Sequence, residues 1–65
     1  MQILNIVINE FKSISDIKIS LLKLDNDFVL CKSKKVAEKS LQSNKRVFWF
    51  YKYSSYYILH ETLID

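Results

Sequence analysis

The sequence predicts a small α+β fold: an antiparallel sheet of about four strands with two short helices, in the order α-β-β-α-β-β. Two observations carry this. The last third, residues 46–65, is dominated by β-branched and aromatic side chains and broken only at Ser54 and Ser55, the pattern of a β-hairpin. Upstream, the apolar spacing switches from three and four residues to two and back. With 65 residues, 49% of them hydrophobic, the chain is expected to form one domain, 1–65. A domain this short buries only roughly 60% of its unfolded surface.

Residues 2–14 read as the first helix. Ile3, Leu4, Val7, Ile8, Phe11 and Ile14 recur at helical intervals, with Asn5, Asn9, Glu10 and Lys12 between them. The Ile and Val content supports the alternative of a strand. From Asp16 the period becomes two: Ile17, Ile19 and Leu21 alternate with Lys18 and Ser20, so this stretch reads as a strand. Asp25, Asn26 and Asp27 are turn formers. They would return the chain into a second strand from Phe28 to Lys32, pairing Leu24 with Phe28 and Leu22 with Leu30.

Ser33 is placed to cap a second helix over residues 34–43, whose inner stripe would be Val36, Ala37, Ser40 and Leu41. Asn44 would stop it. Lys34 and Lys35 fall in its first turn, where positive charge opposes the helix dipole. In the final hairpin, a tip at Ser54 and Ser55 sets Trp49 opposite His60, Tyr51 opposite Ile58 and Phe50 opposite Leu59. One face then carries Phe48, Phe50, Tyr57, Leu59 and Leu63. The other carries Val47, Trp49, Tyr51, Tyr53, Tyr56, Ile58 and His60. Both faces are apolar, and helices on one side cover only one of them.

There is no Gly and no Pro, so every tight turn must use Asn, Asp or Ser. The richness in Lys, Ile and Asn matches an AT-rich coding sequence, as in some viral or mobile elements. Charge is uneven. Residues 32–52 hold Lys32, Lys34, Lys35, Lys39, Lys45, Arg46 and Lys52 against the single Glu38.

Chemistry is sparse. One cysteine, Cys31, excludes an internal disulfide. Cys31 with the only histidine, His60, falls short of a four-ligand zinc site. A Cys–His nucleophile would also need an orienting third group and an oxyanion site, and no motif supplies them. Catalysis, a metal and a cofactor are therefore not expected. No apolar stretch approaches ~20 residues, and no basic segment precedes the first apolar run. Together with a lone thiol, this predicts a cytoplasmic, reducing location.

The function expected is binding. Trp49, Tyr51, Tyr53, Tyr56, Ile58 and His60 are the candidate contact residues for a protein partner or a second copy, because Trp and Tyr dominate interface hot spots. The alternative is a nucleic-acid-binding regulator. It would use Lys34, Lys35, Lys39, Lys45 and Arg46 for phosphates, with the aromatic rings stacking on bases. Neither a membrane nor a small-molecule substrate is expected as a partner.

Overall fold

A computed structural model describes residues 3–41 and 44–64, with side chains for 9–41 and 44–63. The elements are β1 (Ile3–Phe11), α1 (Ile14–Leu24), β2 (Phe28–Cys31), α2 (Lys34–Lys39), β3 (Arg46–Tyr53) and β4 (Tyr56–Ile64). The class is α+β, with two helices and a four-stranded sheet in the order β1-β4-β3-β2. The sheet is mixed: β4 runs antiparallel to β1 and β3, while β2 and β3 are parallel.

The order of elements departs from expectation at the first two. Residues 2–14 were expected as a helix, and Ile3–Phe11 is instead the edge strand β1. Ile3 pairs with Ile64 and Val7 with His60, but the register shifts between Val7 and Asn9, so that Phe11 pairs with Tyr57. That bulge slips the strand by one residue. A period of two cannot run through it, and the mixed spacing that results imitates a helix.

The stretch after Asp16 was expected as a strand and is part of α1. Ser13 caps this helix, its hydroxyl accepting from the Asp16 amide at 3.2 Å. Asp16 in the first turn and Lys23 in the last both suit the dipole. Ile17 and Leu21 are buried beneath it, whereas Ile19 and Leu22 are exposed. The alternation of Ile17, Ile19 and Leu21 therefore joins two buried residues to one in solvent. Because 14–24 is helical, the expected pairs of Leu24 with Phe28 and Leu22 with Leu30 do not form. β2 pairs with β3 instead, with Leu30 beside Phe48 and Cys31 beside Trp49.

Ser33 caps α2 as expected, accepting from the Val36 amide at 3.2 Å. The helix is shorter than expected. It ends at Lys39 with Ser40 as its C-cap, not Asn44, and the Ser40 hydroxyl donates back to the Val36 carbonyl at 3.0 Å. Ala37 is its buried residue, while Val36 is 49% exposed rather than inward-facing. Residues 42–43 of the expected helix lie outside the described residues.

The β3–β4 hairpin has the expected register: Trp49 with His60, Phe50 with Leu59, Tyr51 with Ile58 and Tyr53 with Tyr56. Each of its faces receives one helix. On one side, Phe11, Ile17, Leu21, Phe48 and Leu59 form a buried cluster under α1, bordered by Phe28, Leu30, Phe50 and Tyr57. On the other, Cys31, Ala37 and Val47 form a smaller cluster under α2, bordered by Val29, Leu41 and Trp49. The opposite placement follows from topology. The β1-to-β2 connection crosses the sheet in one direction and β2-to-β3 comes back in the other. Two crossovers of the same hand must then lie on opposite faces.

Candidate functional surface

On the α2 side, α2 covers only the part of the sheet over Cys31 and Val47. With six residues, it spans roughly 9 Å at 1.5 Å per residue. β3 continues past the end of β2, since β2 pairs only with residues 46–49. The far half of this face, toward the hairpin tip, carries Tyr51, Tyr53 and Tyr56, which are 41%, 68% and 43% exposed. Ile58, paired with Tyr51, is buried beside them.

Between the covered and open halves sits a stack. The Trp49 and His60 rings lie 4.3 Å apart at an interplanar angle of 6°. Tyr51 stacks on both, 5.7 Å from Trp49 and 5.6 Å from His60. Direct cross-strand pairing sets this contact, because opposed residues on one face of an antiparallel ladder place their side chains together. Trp49 also borders the Cys31–Ala37–Val47 cluster, so it belongs to both the core and the surface. The two His60 ring nitrogens are buried and make no hydrogen bond. Burial, and secondarily the Lys34 cation, hold the His60 pKa below its ordinary value. His60 is accordingly a neutral, flat ring in the stack at neutral pH. Lys34 opens α2 just after the end of β2, where Cys31 pairs with Trp49, so it starts at the level of the aromatic stack.

The five basic candidates do not form one patch. Arg46 projects to the α1 side, with its guanidinium 5.3 Å from the Phe48 ring centre. It donates to both Glu61 carboxylate oxygens at 2.8 and 2.7 Å, which pushes its pKa further up. Lys45 pairs with Asp27 at 3.1 Å. Lys34, Lys35 and Lys39 remain together on α2, exposed and without an ion pair among the described residues. A shallow depression of about 250 Å³ lies at the opposite end of the hairpin, lined by Leu41, Lys45, Arg46, Thr62 and Leu63 among others.

Cys31 and His60 do not meet. Trp49 pairs with each of them on either side, which separates the two by roughly 10 Å, two inter-strand spacings. The Cys31 Sγ is buried and lies 3.8 Å from the Ser40 Oγ. Among the described residues no three His, Cys, Asp or Glu side chains come together as a cation would require. No helix among them is long and apolar enough to cross a membrane.

Glu10 is the residue that sequence reasoning missed. It pairs with Ile58 and adjoins Phe11, whose side chain is in the α1-side core, so Glu10 falls on the tyrosine face. It is the only acidic side chain described on that face of the strands. A helical reading of residues 2–14 hides this position.

No family model, curated protein or solved structure matches this chain.

Proposed function

We propose that this chain is a non-enzymatic binding module that works through protein–protein contacts, as an inhibitor, adaptor or accessory subunit in a reducing compartment. The open half of the α2-side face supports this reading: Tyr51, Tyr53 and Tyr56 stand exposed on a sheet surface beyond the reach of α2. Exposed tyrosines on a rigid element bury much area on binding at small entropic cost. Trp49 and His60 anchor the surface from beneath, and Ile58 supplies its apolar floor.

The nucleic-acid reading keeps one supporting observation. Lys34 opens α2 at the level of the stack and, with Lys35 and Lys39, makes no ion pair among the described residues. It is weakened by Arg46 and Lys45, both engaged by acidic side chains.

The test is capture of partners from native extract, with and without nuclease, by the wild-type chain and by Tyr51→Ala/Tyr53→Ala. Capture should survive nuclease and be lost in the double variant, since one truncated hot spot costs at least ~2 kcal/mol, roughly thirtyfold in affinity. Capture abolished by nuclease would favour the alternative. Trp49→Ala is a poor probe, because a Trp removed from a core costs about 3–5 kcal/mol and the chain would unfold.

A further inference from the structure

The charges around the tyrosine face are arranged to fit a second copy of the chain. On the β1 edge stands Glu10, exposed and level with Ile58 and Tyr51. Across β4 from it, over β3 and β2, α2 begins with Lys34 and Lys35, exposed and without an ion pair among the described residues. Between the two edges lie the exposed rings of Tyr51, Tyr53 and Tyr56. The face is acidic on one side, aromatic in the middle and basic on the other.

We propose that two copies pack these faces together about a twofold axis running parallel to the strands. This deepens the protein-binding reading above and rests on it. Rotation about such an axis turns one sheet over onto the other and exchanges its edges. β1 of each copy then lies over the α2 side of the other, so Glu10 of one copy meets Lys34 and Lys35 of the other twice in one interface. The tyrosines of each hairpin meet those of the other across the axis. A twofold perpendicular to the strands would instead set like edges together, Glu10 against Glu10. The charge pattern therefore selects the first arrangement, as an isologous interface must be self-complementary.

Sedimentation velocity over a concentration series tests this, with circular dichroism as the control for folding. The wild type should form a dimer in the micromolar range. Glu10→Lys alone should be monomeric, because it sets a third positive charge against Lys34 and Lys35. Lys34→Glu/Lys35→Glu alone should also be monomeric, because it sets three carboxylates together. Mixing the two variants leaves one of the two contacts with its charges reversed but complementary, and the other native, and should restore the dimer. The triple variant should self-associate like the wild type. The two lysine substitutions relieve an unfavourable charge at the start of α2, so loss of the dimer in that variant cannot be assigned to unfolding.

Three results overturn the inference in distinguishable ways. A dimer indifferent to the charge exchanges but lost in Tyr51→Ala/Tyr53→Ala keeps the face and removes this twofold. A dimer indifferent to both sets of variants, as would follow from association through the exposed Ile19 and Leu22 of α1 or along the β1 edge, removes the inference and the tyrosine-face reading together. A wild type that stays monomeric removes the second copy and leaves the hetero-partner to the capture experiment. If that monomer binds a labelled oligothymidine and Lys34→Glu/Lys35→Glu does not, the face is a nucleic-acid surface.

Discussion

Ser54 shows how a single residue carries a consequence of having no glycine. It is the one described residue with positive φ, at 56°, and it holds the first position of the two-residue hairpin tip. Turns with positive φ only at that position usually place Gly there, because a side chain clashes in the left-handed region. Ser54→Gly should therefore raise the melting temperature by a few degrees, each kcal/mol being worth about 4–8 °C in a domain this small. Ser55→Gly should give no such gain. His60 makes the second prediction at this scale. Its pKa is depressed in the folded chain by burial and by Lys34, so the unfolded chain binds more protons as pH falls. Stability from this group is complete above the ordinary histidine range near 6.5 and is lost as pH drops toward the lower folded value. Urea midpoints measured from pH 7.5 to 5 should fall, and His60→Phe should flatten that part of the slope. The pairing that creates this environment, Trp49 with His60, was legible in the sequence, because the Ser54–Ser55 tip sets the register. The buried, unbonded ring nitrogens were not, since burial depends on how the Trp49 and Tyr51 rings close over His60, which register alone does not give.

Among the elements, α1 decides how far periodicity can be trusted. Ile17, Ile19 and Leu21 satisfy a period of two, yet Ile14, Ile17, Leu21 and Leu24 satisfy the helical spacing with Ser13 as cap. The exposed Ile19 makes the strand pattern the more visible of the two in sequence. A direct check separates them. In a strand, Ile17 and Ile19 would share a face and cost alike when truncated. In the observed helix Ile17 is 0% and Ile19 55% exposed. Ile17→Ala should cost about 2–5 kcal/mol, whereas Ile19→Ala should stay within about 0.5 kcal/mol, both measured by urea denaturation. The hairpin and α2 were legible because their signals are local: a serine tip between aromatic runs, and a serine cap ahead of a short apolar stripe. β1 was not, because its bulge reverses the sheet face partway along the strand. Without β1, the tyrosine face is known only from β3 and β4, and its acidic margin at Glu10 goes unseen.

At the scale of the whole molecule, the strands are paired across long stretches of chain. β1 is hydrogen-bonded only to β4, and β2 only to β3, among the described residues. Ile3 must find Ile64. Such non-local pairing slows folding relative to a helical bundle of this size, and it makes the β3–β4 hairpin the condition for everything else. A fragment of residues 1–55, which lacks β4, should show the circular dichroism of an unfolded chain, because it loses the partner of β1 together with Leu59 and Ile58 of the core. The strand order also acquires a meaning in time. β1 is synthesised well before β4, its only partner among the described residues, so it waits unpaired, its backbone groups open to other chains, until β4 has left the exit tunnel, whereas β2 meets β3 soon after α2. Aggregation of this protein is therefore a hazard during synthesis as well as in the folded sheet, where β1 and β2 each keep one side unpaired among the described residues. Conditions that slow elongation through the codons of β4 should lower its soluble yield even when the finished fold is unchanged.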